Sequence, residues 1–250
     1  MSGHSHWSTI KRKKAVVDAK RGAGFSKAAK AITVAARQAG GDPDMNLTLR
    51  YAIEAARAIN MPRDNIERAI KKGTGELNDG TQIETLVYEV YAHGGVAMMI
   101  ECLTDNRNRT ASEVRNRIEK NGGTLAAMGA VSRLFHRKGV ITISAEAAAE
   151  DRVMEIALEA GADDVKSDSG FHEVTCAPEA FDAVAKAFDA AGIKTESAKV
   201  QPVPVTLVPV DKHTAEKVLN LIGHIEEDED VNAVYANFDI PDEVMNEINK

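Results

Sequence analysis

From Phe25 to Ala39 the apolar residues recur with the period of a helix. At 100° per residue, Phe25, Ala28, Ala29, Ile32, Ala35, Ala36 and Ala39 fall within an arc of about 120°, which predicts one buried face. Lys27, Lys30 and Arg37 gather on the opposite side, within about 80° of one another. A second helix is expected over residues 45–59, after "GGDPD", with Asp44 as its cap. A third is expected over residues 63–72, with Asp64 in its first turn, Lys71 and Lys72 in its last, and Gly73 as its stop. Together they predict a small all-helical domain over residues 1–78, with "GTGELNDG" as the linker out of it.

After Ile83 the pattern shortens. "IETLVYEVY" and "VAMMIECLT" read as strands joined by the turn "AHGG". "NRNRTASEVRNRIEKNGG" reads as a helix that begins near Thr110 or Ala111 and stops at Gly122 and Gly123, and "AVSRLFH" (130–136) as a further strand. A compact set follows: strand "GVITIS", a helix over 146–160, strands "DDVKSD" and "FHEVTC", a helix over 178–191 and strand "TESAKVQ". That is the β-α-β-β-α-β order of a ferredoxin-like domain, over residues 137–202. The flanking elements complement one another: a strand over 203–210, a helix over 213–225 and a strand over 231–238 come after the interruption. The expected fold class is therefore α+β, in three domains. They are the helical domain (1–78), a discontinuous ferredoxin-like-type domain (79–136 plus 203–250) and the inserted βαββαβ domain (137–202).

Composition refines this picture. Hydrophobic residues make up 44% and charged residues 28%, as in ordinary globular proteins. No apolar run approaches the roughly 18–20 residues that span a bilayer, and no apolar segment follows the basic N-terminus. Membrane association is not expected, and the chain reads as cytoplasmic. Cys102 and Cys176 are the two cysteines; they lack ligand spacing and read as inert buried thiols in a reducing compartment.

Charge changes the picture more. The chain carries a net charge of -7, yet residues 1–75 hold 15 Lys and Arg against 6 Asp and Glu, a net of +9. Residues 76–250 hold 16 against 32, a net of -16. A basic module on an acidic body points to a polyanion partner, with nucleic acid the leading candidate. The residues expected to bind it are Lys11, Lys13, Lys14, Lys20, Arg21, Lys27, Lys30 and Arg37. Trp7 is open to two readings, a base-stacking ring or a hydrophobic anchor.

"LTDNRNRT" (103–110) is the densest chemical stretch of the body. It leaves a strand and enters a helix, where backbone amides can meet a phosphate, and Arg107 and Arg109 add guanidinium forks. Asp105, Asn106 and Asn108 are equally good turn and capping residues. The run "EEDEDV" (226–231) reads as a solvated turn and not as a metal site. No phosphate loop, GxSxG, HExxH or CxxC occurs, so neither catalysis nor a cofactor is expected.

Four segments carry a resemblance: "GHSHW…IKRKKAVVDAKRGAGFSKAAKAI", "GGDPDMNLTLRYAIEAARAINMPRDNIERAIKKGTG", "YEVYAHGGVAMMIECLTDNRNRT" and "VRNRIEKNGGTLAAMGAVSRLF". With them the chain resembles the YebC/PmpR family, whose mitochondrial relatives are translational activators of cytochrome c oxidase. It departs from the family pattern at His6, His93 and Ala126, none of which removes a basic residue. The resemblance implies three domains and a DNA-binding transcriptional regulator. Other members of the family act on translation, at ribosomes stalled on stretches such as consecutive prolines. The sequence thus leaves DNA and ribosomal RNA, or the ribosome itself, as alternative partners. A ligand-sensing α+β protein is a further alternative. A monomer is expected, with a dimer left open.

Overall fold

The computed structural model describes residues 21–77, 80, 82–168 and 170–248. Three helices come first: α1 (Arg21–Ala39), α2 (Leu47–Ala58) and α3 (Arg63–Thr74). Strands β1 (Glu84–Tyr91) and β2 (Ala97–Thr104), helix α4 (Arg107–Lys120) and strand β3 (Thr124–Leu125) follow. Next come β4 (Phe135–Ser144), α5 (Glu150–Glu159), β5 (Asp164–Asp168), β6 (Phe171–Cys176), α6 (Phe181–Ala190) and β7 (Thr195–Pro204). The described chain closes with β8 (Val208–Pro209), α7 (Lys212–Glu226), β9 (Val231–Ala236), β10 (Phe238–Asp239) and α8 (Asp242–Ile248). The fold is α+β with an N-terminal helical domain and antiparallel main sheets.

The helical domain is built on the periodicity of α1. Ile32, Ala35 and Ala36 bury against Leu49, Ile53 and Ala56 of α2, Met61, and Ile66 and Ala69 of α3. Small residues let the helices approach closely. At Gly73 of α3 a Cβ would stand 2.5 Å from the Thr33 carbonyl oxygen and 2.7 Å from the Ala36 Cβ. Gly73 is therefore a contact residue inside the helix and not its stop. The helix runs on to Thr74 and ends at Gly75, whose φ of 83° suits glycine.

The cap of α2 also differs from expectation. Asn46, not Asp44, occupies the position: its Oδ1 accepts the Leu49 N–H at 3.0 Å. Its Nδ2 donates to the carbonyls of Ala35 (2.9 Å) and Gly40 (2.7 Å). An amide can cap one helix and tie back to another because it both accepts and donates; a carboxylate only accepts.

Two compact units divide the described chain. One is discontinuous and holds the described residues of Asp18–Leu134 and Thr206–Lys250. Its four-stranded sheet has the order β3-β1-β2-β9. β1 and β2 pair in register from Glu84↔Thr104 to Tyr91↔Ala97. Val90, Met98, Ile100 and Cys102 share the buried face, and Val114 and Ile118 of α4 with Leu221 and Ile225 of α7 complete the core.

The expected strand over 130–136 does not form before Phe135. The N–H groups of Gly129, Val131 and Ser132 instead donate to the Glu89 carboxylate at 2.7, 2.5 and 3.0 Å. Those donors turn the chain around an anion, so they are not free for a ladder.

The other unit, Phe135–Val205, has the sheet order β5-β6-β4-β7. Its first strand, β4, lies between its third and fourth, the arrangement of a split βαβ fold. Ile141, Ile143, Val174, Val153, Val184 and Phe188 form its core. His172 is buried there with both ring nitrogens satisfied: Nε2 lies 3.1 Å from the Ala148 carbonyl and Nδ1 2.7 Å from Ser167 Oγ. A carbonyl only accepts, so Nε2 donates to Ala148.

Candidate nucleic-acid interface

The sequence places its strongest cluster before α1. Trp7, Lys11, Lys13, Lys14 and Lys20 lie outside the described residues, and the side chain of Arg21 does as well. The interface is therefore built from α1 onward.

The polar face of α1, expected from the sequence to meet a polyanion, is engaged by the chain itself. Lys27 Nζ donates to the Glu226 carbonyl, at the end of α7. Lys30 Nζ donates to the Asp230 carboxylate, and to the Glu229 carbonyl at 3.4 Å. Arg37 donates from Nη1 to the Ile83 carbonyl at 2.7 Å, just before β1. Of the residues chosen for a polyanion, Lys30 already meets the acidic turn between α7 and β9, while Lys27 and Arg37 meet backbone carbonyls. Lys30 keeps 13% of its side-chain exposure, whereas Arg37 remains on the surface.

That turn is the run "EEDEDV", and it is solvated only in part: Glu227 and Glu229 are exposed, but its two aspartates are not. Asp228 and Asp230 are 2% and 1% exposed. Asp228 Oδ1 accepts the Asp230 N–H at 2.9 Å, a turn of the Asp-x-Asp kind that aims both carboxylates inward. Sequence reasoning missed both residues; the i,i+2 spacing of the two shorter acids among longer ones was the available signal.

Asp230 collects donors from three parts of the chain. Besides Lys30 of α1 it receives Thr104 Oγ1 from the end of β2 (3.2 Å), Thr110 Oγ1 (2.7 Å) and Arg109 Nη2 (2.9 and 3.1 Å) from α4. Burial pushes the carboxyl up, but the hydrogen bonds from Lys30, Thr110 and Arg109 overcome this and hold it at about 2. Arg109 is pushed up in turn, first by its hydrogen bond to Asp230 and further by Asp105 at 2.9 Å.

Around this hub lies a second layer of charge. Arg117 Nε stands 3.3 Å from Asp228 Oδ2, and its Nη1 donates to the His224 carbonyl at 2.9 Å. Glu113 is pushed up by burial and then by Asp228. Burial, with Asp228 and Asp230 nearby, also pushes the Cys102 thiol up to about 12, so it stays protonated and unreactive.

The two arginines of "NRNRT" consequently separate. Arg109 belongs to the hub, whereas Arg107 points outward at 67% side-chain exposure, 3.4 Å from the Glu84 carboxylate. α4 begins at Arg107, three residues before the expected start, because Asn106 Oδ1 caps the Arg109 N–H at 3.1 Å and Thr104 Oγ1 holds the Asn106 N–H at 2.9 Å. Among the described residues, Arg57, Arg68, Lys71, Arg115 and Lys120 are exposed and enter no ion pair. No group of side chains among the described residues is suited to hold a metal ion. No described helix is long and apolar enough to cross a membrane.

Two family models match the chain in succession. Residues 5–76 match the TACO1/YebC protein N-terminal domain, and residues 83–238 match the TACO1/YebC second and third domain. A probable transcriptional regulatory protein of Treponema pallidum is 54% identical over 245 residues, covering 98% of this chain and 100% of that protein. One from Rubrobacter xylanophilus is 52% identical over 248 residues, with 99% of each chain covered. The crystal structure of a conserved hypothetical protein from Aquifex aeolicus superposes with a TM-score of 0.80 at 47% identity, covering 90% of this chain and 93% of that one.

Proposed function

Since the chain belongs to the TACO1/YebC family, we propose that it regulates gene expression by binding nucleic acid through its basic helical domain, without catalysis. One observation carries this reading: residues 1–75 hold a net charge of +9 while the remaining 175 hold -16. Phosphate contacts are expected from Lys11, Lys13, Lys14, Lys20 and Arg21, extended by Arg107 and the unpaired surface cations. Lys27 and Lys30 serve the fold and not the ligand. The relatives' names favour transcription, and on that reading duplex DNA is the partner we propose.

A second reading, an RNA- or ribosome-binding translation factor, is favoured by the outward face of α3. α2 and α3 are joined by residues 59–62, a length that helix-turn-helix units use. The outward face of α3 carries Asp64 and Glu67 among Arg63, Arg68 and Lys71, with Glu67 paired to Arg63 at 2.6 Å, and two carboxylates are ill suited to lying between the phosphate rows of a major groove. Recognition of shape and phosphate needs no such helix.

Sedimentation with ribosomes on a gradient at physiological salt, beside Lys13→Glu/Lys14→Glu, separates the two. Co-migration that the reversal abolishes selects the ribosome; protein left at the top with retained duplex binding selects DNA. For about six phosphate contacts on a duplex, log K falls against log salt with a slope near −5, and the double reversal flattens it by about two. A slope near zero on both nucleic acids would sink the proposal.

A further inference from the structure

We propose that Asp230 is a positioning residue for the basic helical domain. Its carboxylate is wholly buried and joins Lys30 of α1 to Thr104, Arg109 and Thr110, the turn that presents Arg107. The inference rests on the nucleic-acid reading for its functional consequence, but the docking itself is independent of it.

The hub has the properties of a fixed joint. The ion pair to Lys30 is nearly closed to water, so added salt screens it little. Each donor comes from a different backbone direction: a helix of the first domain, the end of a strand, and the first turn of a second helix. Loss of the carboxylate would leave Lys30 without its anion and Arg109 with Asp105 alone. On either side of Lys30, the Lys27 bond to Glu226 and the Arg37 bond to Ile83 add two further ties along the same face of α1. One acidic turn thereby sets where the exposed cations of the described helical domain, Arg57, Arg68 and Lys71, stand relative to Arg107. Two cationic patches held in one arrangement meet a single polyanion at high effective concentration; a loosened domain has to be ordered again on every binding event.

The test uses the full-length chain with Asp230→Asn and, as a milder variant that keeps the Asp230–Arg109 pair, Lys30→Met. Lys30→Arg is the charge-conserving control. Three readouts are taken at a temperature where all are folded. They are amide exchange along α1, widths of spin-label distances between Gln38→Cys and Ser112→Cys, and affinity for a duplex DNA and a duplex RNA of equal length.

For Lys30→Met we expect about tenfold faster exchange in α1, a broadened distance distribution and about tenfold weaker nucleic-acid binding. The salt slope stays unchanged, and Lys30→Arg restores all three. Exchange within Phe135–Val205 serves as an internal reference and stays constant. Unchanged exchange and distances would overturn the proposal. So would tighter binding with a steeper salt slope, which would make the turn a competitor for phosphate. If the wild type binds neither duplex, the functional reading falls while exchange and distances still decide the docking.

Discussion

Three carboxylates, Glu89, Asp228 and Asp230, are buried in the discontinuous unit, and the first and last are neutralised in opposite ways. Glu89 is met by backbone: three N–H groups of the turn at 129–132 point at its oxygens. Asp230 is met by side chains, from Lys30, Thr104, Arg109 and Thr110. The first arrangement shapes a neighbouring loop and asks little of the loop's side chains, since every residue but proline supplies an N–H. The second asks for particular residues at four distant positions and joins elements that the chain order keeps apart. A buried anion can thus be a local mould or a long-range tie, depending on who donates to it.

The largest break in this comparison is Asp230→Ala. It strands Lys30 and leaves Arg109 with Asp105 alone, and we expect a loss of about 3–5 kcal/mol in urea unfolding. Glu89→Gln turns an amide group toward N–H donors and should cost about 2–3 kcal/mol by the same measurement.

Acid sharpens the contrast. The Asp230 carboxyl sits at about 2 in the folded chain against 3.8 without its partners, so its stabilising share is complete above 3.8 and vanishes as the pH falls through 2. That share is about 2 kcal/mol. The denaturant midpoint of Asp230→Asn should show a correspondingly shallower fall across that window. A wild-type slope in the window equal to that of the variant would contradict the ties assigned to Lys30, Thr110 and Arg109. The smallest effect belongs to Met128→Ala, on the turn beside Glu89. Its side chain is 98% exposed, so thermal unfolding should move by less than the equivalent of about 0.5 kcal/mol.

The sequence was most legible where one physical signal acts alone. The apolar stripe of α1, the alternating run of β1 and β2, and the βαββαβ succession ending at β7 follow from periodicity and turn residues, which report burial directly. It was least legible where a residue's role depends on a distant partner. Gly73 looked like a helix stop because glycine ends helices, but the constraint was the Thr33 carbonyl across the helix pair. "AVSRLFH" looked like a strand because its residues are apolar, whereas Glu89, some forty positions earlier, claims its N–H groups. The cations of α1 looked free to bind a polyanion because a single helix cannot show what lies against its polar side. Of the candidate site, the sequence disclosed its sign of charge and hid the acidic turn that engages part of it.

The tie between Lys30 and Asp230 spans 200 residues. At a synthesis rate of about 5–20 residues per second, its two halves leave the ribosome roughly 10–40 s apart. For most of that interval, once α3 has emerged, α1 has its hydrophobic partners at hand but not the anion that will occupy its other face. The newborn protein is therefore a more strongly cationic object than the finished one. Its first quarter passes through a period in which any nearby polyanion, including the ribosome making it, competes for Lys27 and Lys30 before the acidic turn is synthesised.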